Sequence, residues 1–215
     1  MERNALKLSE NVILNFQKSR LHYGFCLQIL ERTKDELLLF ETTKLIKNAI
    51  IFEWNKISDE EKNQLRQTLL NNVTINNQLP LSVREKILQI NSLIIKRKYI
   101  DDAGVEVTQL MSVIKNMIYS GHSDQQILAC MMLLSILQEF NNTVKSDDVC
   151  LTFEEHFKAK KFFELKELLN VFLLILKPIE ELLAVFQIEN KSHFNLMKYF
   201  LQIMEVILGW GFLGW

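Results

Sequence analysis

Apolar side chains recur every three or four residues through most of this chain, and short polar stretches separate the runs. After Thr33, the residues Leu39, Ile46, Ile50 and Trp54 fall on one helical face. After Ser58 the stripe is thinner: Leu65, Leu69 and Val73. After Ser82 it is Val83, Ile87, Ile90 and Ile94. A helix from Val107 to Tyr119 carries Val107, Leu110, Ile114 and Met117, and Gly121 supplies a stop behind it. From Ile127 to Phe140 apolar residues nearly encircle the helix, which predicts burial on most sides. After Thr152 a long helical stretch aligns Leu165, Leu169, Phe172 and Leu176, with Pro178 expected to kink or end it. A last helix, Ser192 to Leu208, aligns Leu196, Phe200, Ile203 and Ile207. Two shorter helices are expected near residues 4–18 and 21–32.

The starts carry a chemical signature. A Ser or Thr N-cap accepts from the backbone three residues on, and a Glu or Gln there reaches back. The pattern occurs at Thr33/Glu36, Ser58/Glu61, Ser82/Glu85, Ser123/Gln126 and Thr152/Glu155. Taken alternately, the starts near 33, 82 and 123 form one series, and those near 58, 104 and 152 form another. Both step by roughly 40–50 residues, the spacing of two-helix HEAT repeats. One such pair cannot bury both its faces, whereas stacked neighbours share a continuous core. The expected fold is therefore all-α: an α-solenoid of HEAT-like antiparallel helix pairs, with residues 1–215 forming one array of about four to five pairs. The aromatic end, from Trp210 to Trp215, lacks the polar cap of a terminal repeat, so the array is expected to be truncated there.

Composition narrows the function classes. Gly (6) and Pro (2) are scarce, which disfavours strands joined by tight turns. A net charge of −1 gives no mark of nucleic-acid binding. The most apolar run, Val171 to Leu176, is too short to span a bilayer. Cys26, Cys130 and Cys150 are far apart and suggest reduced thiols rather than a disulfide framework or zinc site. Sequons at Asn72, Asn141 and Asn190 read as chance in an Asn-rich chain.

Candidate chemistry is sparse. The glycines are scattered and build no phosphate-cradling loop. His22, His122, His156 and His193 have no metal-ligand spacing, so neither an enzyme nor a cofactor is expected. Glu154 and Glu155 suit a helix N-terminus, and capping accounts for His122 and Asp124. Lys96-Arg97-Lys98 reads as cations at the C-terminus of their own helix, with an acidic partner as the competing reading. Lys158, Lys160 and Lys161 read as a solvated face, and the Phe and Met residues as core.

Several segments carry a resemblance. Phe52-Glu53-Trp54 closes one helix and is followed by the polar Ser58-Asp59-Glu60-Glu61 start. Ser82-Val83-Arg84-Glu85-Lys86-Ile87-Leu88 runs on to Lys96-Arg97-Lys98. Ile127-Leu128-Ala129-Cys130, Leu137-Gln138-Glu139-Phe140 and Leu208-Gly209-Trp210-Gly211-Phe212-Leu213 follow in order. Together they resemble the N-terminal repeats of exportins in the importin-β superfamily. The resemblance covers nearly the whole chain, from about Ser9 onward, although exportins are several times longer. It implies a right-handed superhelix of helix pairs and a nuclear export receptor fragment. It further implies binding of Ran-GTP, protein cargo and nuclear pore proteins, with shuttling between nucleus and cytoplasm, and neither nucleic acid nor membrane insertion. On the second, B helices, Asn63, Gln67 and Asn71 stand opposite the Leu65 stripe, and Thr108, Ser112 and Lys115 stand outward. These six would line the concave surface of a solenoid, where Ran is expected. The alternative is a generic helical-repeat scaffold with another protein partner, because fold alone does not fix function.

Overall fold

A computed structural model describes residues 10–12, 14–15, 23–76, 79–102, 104–141 and 151–212. Among the described residues there are helices and turns and no strand, so the fold is all-α. The helices are α1 (Tyr23–Arg32), α2 (Glu36–Glu53), α3 (Asp59–Ile75), α4 (Leu81–Asp102) and α5 (Val105–Ile118). They continue with α6 (Ser123–Asn141), α7 (Phe153–Lys166), α8 (Leu168–Ala184) and α9 (Lys191–Leu208). Most of the helix expected near residues 4–18, and Cys150, lie outside the described residues. The chain divides into two compact units, Met1–Ile90 and Asn91–Trp215.

In the first unit α1 packs on α2. Leu39, Ile46, Ile50 and Trp54 are buried together, as their spacing requires. So are Leu65, Leu69 and Val73 of α3. A single 3₁₀ turn, Trp54–Lys56, ends α2, and the Lys62 ammonium stands 4.4 Å from the centre of the Trp54 ring. That contact leaves Lys62 buried while Asp59 holds its charge at 2.9 Å.

The cap assignments divide. Ser58/Glu61 and Thr152/Glu155 form complete capping boxes. The α2 start is different: Asp35 is the N-cap and accepts from the Leu38 N–H, while Thr33 Oγ1 accepts from the Asp35 N–H. Ser82 already lies inside α4, which starts one residue after Pro80, and its hydroxyl donates to Glu36 at 3.0 Å. Ser123 is the first residue of α6; the His122 carbonyl accepts from the Gln126 N–H. Gln126 instead turns its side-chain amide back to the Ile118 carbonyl, tying α6 to the end of α5.

In the second unit α6 is central, with α5, α7 and α9 packed on it. The buried hydroxyls of Ser92 on α4 and Ser135 on α6 meet at 3.0 Å. The apolar stripe of α9 is as its spacing predicts: Leu196, Phe200, Ile203 and Ile207 are buried. The stretch after Thr152 is not one helix. Glu167 (φ −115°) separates α7 from α8, yet the buried stripe runs on through it, from His156, Lys160 and Phe163 to Val171, Ile175 and Leu182. Leu165 and Leu169 lie on a different face from that stripe and are exposed, so the expected alignment named the wrong face. Pro178 does not end α8; it is buried inside it.

The basic triplet is also placed differently. Helix α4 continues to Asp102, and Lys96, Arg97 and Lys98 are all buried. Lys98 pairs with Glu106. Lys96 donates to the backbone carbonyl of Glu139 in the last turn of α6. Lys160, buried rather than solvated, donates to the carbonyl and side chain of Asn141 at 3.2 and 3.0 Å. The macrodipole rule does apply to Lys96 and Lys160, but to the C-terminus of the neighbouring α6 rather than their own helices. Beside them Phe140, Phe163 and Trp210 form a row, with ring centres 4.9 and 5.8 Å apart. Trp210, in the aromatic tail, is thus core.

All three sequon asparagines are engaged in the fold: Asn72 donates to the Thr68 carbonyl, Asn141 accepts from Lys160, and Asn190 caps α9. Cys26 and Cys130 are buried free thiols, and burial pushes their pKa values up to about 11 and about 12. Phe140, Phe163 and Phe200 are core, but Phe25, Phe52, Phe153 and Phe194 are exposed.

Candidate functional site

The residues expected to meet a partner stand on two helices, one in each compact unit. On α3 the Leu65, Leu69 and Val73 stripe turns inward, which fixes the helix rotation. Asn63, Gln67 and Asn71 then follow one another at four-residue intervals on another face. Gln67 and Asn71 are exposed, and Asn63 is half-buried. The acidic first turn of Asp59, Glu60 and Glu61 adjoins them, placed there by the positive end of the helix.

On α5 the buried positions are Val107, Leu110, Met111, Ile114 and Ile118. Thr108, Ser112 and Lys115 project from the flank beside Met111 and are all exposed. They rise by four and then three residues, so they form one row. The fold sets this row beside α8. Ser112 and Lys115 line a groove of about 500 Å³, with Tyr119 at one end and Glu167, Asn170 and Leu173 on the α8 side. Thr108 lies in an adjoining hollow of about 400 Å³ with Gly104, Phe162 and Lys166. Its hydroxyl donates to Glu167 Oε1 at 3.2 Å, so Glu167 belongs to both hollows.

Glu167, Asn170 and Leu173 escaped the reading of the sequence. The available signal was local. A glutamate and an asparagine interrupt an otherwise apolar run, and the helix breaks at the first of them. The Gly104 conformation is part of the same construction. Its φ of +88° suits glycine, and a β-carbon there would meet the Phe162 ring at 2.3 Å. Gly104 therefore lets Phe162 close the hollow, and Phe162 in turn packs on Tyr99 with ring centres 4.5 Å apart.

The groove offers an ammonium group, a carboxylate, a hydroxyl, an amide and a phenol around an apolar floor of Met111 and Val171. Such a surface suits the polar and apolar side chains of a polypeptide. His156 stands apart, buried on α7, and neither ring nitrogen finds a hydrogen-bond partner among the described residues. Burial, with a smaller contribution from the Lys96 charge, pushes its pKa down to about 4. Among the described residues no helix is long and apolar enough to cross a membrane.

Comparison with known proteins gives two matches. The profile of the exportin-4 family matches residues 1–214. The exportin-4 of Dictyostelium discoideum is 22% identical over 98% of this chain. The chain spans about a fifth, 20%, of the length of that relative.

Proposed function

Since this chain belongs to the exportin-4 family, we propose that it is the N-terminal part of a nuclear export receptor, which binds Ran-GTP and a protein cargo together. The family match over residues 1–214 carries this reading. In it residues 1–215 form one array of helix pairs, and the receptor shuttles between nucleus and cytoplasm through contacts with nuclear pore proteins. The chain works by binding alone. Each ligand raises the affinity for the other by the same factor, since the coupling between two sites is reciprocal.

Ran meets Asn63, Gln67 and Asn71 on α3 and Thr108, Ser112 and Lys115 on α5. The accessible, mostly uncharged rows on both helices support this assignment. Lys115 is the one ionic group of the six and answers an acidic residue of the partner. The experiment is capture of the full-length protein on immobilised Ran, locked with GTP or loaded with GDP. Preferential retention by the GTP form is expected, with Lys115→Glu weakening it by about tenfold. Equal retention by the two nucleotide forms would remove the reading.

A further inference from the structure

Glu167 is only 8% exposed, yet the fold does little for its carboxylate. The Thr108 hydroxyl donates to Oε1 at 3.2 Å. Among the described residues no cation stands within ion-pair distance of it, although Lys166 borders the adjoining hollow. The side chain does not cap α8 either. The negative end of α7 and the positive end of α8 meet at this residue, so the two helix dipoles oppose each other there. A carboxylate so deeply held normally has a cation or several donors beside it. This one turns into the groove between α5 and α8.

The groove has a direction. Helices α5 and α8 run side by side the same way: Thr108 meets Glu167 at one end, and Lys177 stands 6.0 Å from the centre of the Tyr119 ring at the other. Ser112 and Asn170 lie between. From Thr108 to Lys115 the helix rises by about 10 Å. Lys115 is exposed and has no ion pair among the described residues, whereas Lys177 is paired with Glu181 at 3.6 Å. A buried carboxylate therefore stands at one end and an unpaired ammonium toward the other, with Val171 and Leu173 on the wall between them. Asn170 donates its amide to the Lys166 carbonyl at 2.9 Å, which leaves its side-chain oxygen open.

We propose that this groove takes an extended segment of a separate protein that carries a lysine or arginine three residues from an aspartate or glutamate. The cation sits on Glu167 and the acid on Lys115. In a polyproline-II conformation every third side chain faces the same way, and three residues cover about 9 Å, close to the separation of the two ends. The backbone of such a segment has no internal hydrogen bonds and is open to Ser112 and Asn170. A volume of about 500 Å³ admits one extended chain, whereas a helix about 10 Å across stays outside. Only the exposure of Lys115 to a partner is shared with the surface assigned to Ran.

The test pans a phage-displayed library of random dodecapeptides on the full-length protein. The library is first depleted on the Leu173→Asp variant, which puts a charge into the exposed apolar wall and leaves the rest of the surface unchanged. Enriched peptides should hold a basic and an acidic residue three positions apart. Glu167→Gln keeps the volume and an acceptor for Thr108 but removes the charge, so peptides enriched on it should lose the basic residue and keep the acidic one. Lys115→Glu, at an exposed position, should do the reverse. A peptide enriched on the parent should bind each variant about tenfold more weakly. A Glu167 that only braced Thr108 would leave the choice of peptide unmoved. Enrichment without such a charge pair, or a pair that neither variant alters, would overturn the proposal. Neither Ran nor a nucleotide is present, so this specificity and the preference for Ran-GTP can each fail alone.

Discussion

The ammonium of Lys96, with none of its side chain exposed, lies 3.4 Å from the carboxylate of Glu139 and donates to the same residue's backbone carbonyl. One residue of α4 thereby answers both the carboxylate and the backbone carbonyl of Glu139 in the last turn of α6. Burial holds the Lys96 pKa below its ordinary value, and Glu139 acts against that fall.

Truncating Lys96 should therefore cost more than removing a surface charge. Lys96→Ala leaves a void and removes the ammonium from Glu139, and should lower unfolding free energy by about 2–4 kcal/mol. Lys96→Met fills the space and also removes a buried charge, so its loss should be smaller, about 1–2 kcal/mol. Urea denaturation of the two variants beside the parent measures both; equal losses would mean that volume is irrelevant at this site.

The burial of His156 sets a pH dependence. Its pKa falls from 6.5 in the open chain to about 4 in the fold. Between these values the unfolded chain binds a proton that the folded chain refuses. The stability associated with neutral His156 is complete above about pH 6.5 and is lost as pH falls toward 4, by at most about 1.4 kcal/mol per pH unit. His156→Leu should flatten this slope, read as the difference between parent and variant so that carboxylate titration cancels.

The caps separate structure from pattern. Ser58→Ala and Thr152→Ala each remove a working N-cap and should cost about 1 kcal/mol. Ser123→Ala, at the first residue of α6 rather than its cap, should cost a few tenths at most. Asp35→Ala should cost more than Thr33→Ala. Thermal unfolding of the five variants decides, and a large effect at Ser123 would contradict the α6 start.

Gly104 and Gly121 both have positive φ, 88° and 75°. They differ in surroundings, since a β-carbon at Gly121 meets nothing within 4 Å and one at Gly104 meets Phe162. Gly121→Ala should cost about 1 kcal/mol of backbone strain, and Gly104→Ala clearly more. Similar midpoints in a denaturant titration would argue against the contact with Phe162.

Helices with a single, strong stripe were legible from spacing alone. The buried set of α9 is the stripe its periodicity names. Helix α4 buries Val83, Ile87, Ile90 and Ile94 and also Leu88, Leu93, Ile95 and Lys96, because its second half is enclosed nearly all round. Helix starts were less legible. Thr33, Ser82 and Ser123 all match the capping pattern, yet an alternative cap at Asp35, a proline at position 80 and a tertiary role for Gln126 took the start elsewhere. The buried lysines were illegible, since a cation that caps another helix leaves no mark at its own position in the sequence. On the candidate site, the α5 row was readable and its α8 wall was not. That wall is made by Glu167, Asn170 and Leu173, residues that their own spacing does not single out.

The break at Glu167 bears on how the chain meets proteases. A protease must thread several residues of extended backbone through its cleft, and exposed loops supply them. Between α7 and α8 there is no such length: one residue turns the chain, and its side chain is held by Thr108. Between α8 and α9 residues 185–190 lie outside any helix, with Val185 and Ile188 exposed. Among the described residues of the second unit, a first cut therefore falls before α9 and leaves α7 and α8 joined.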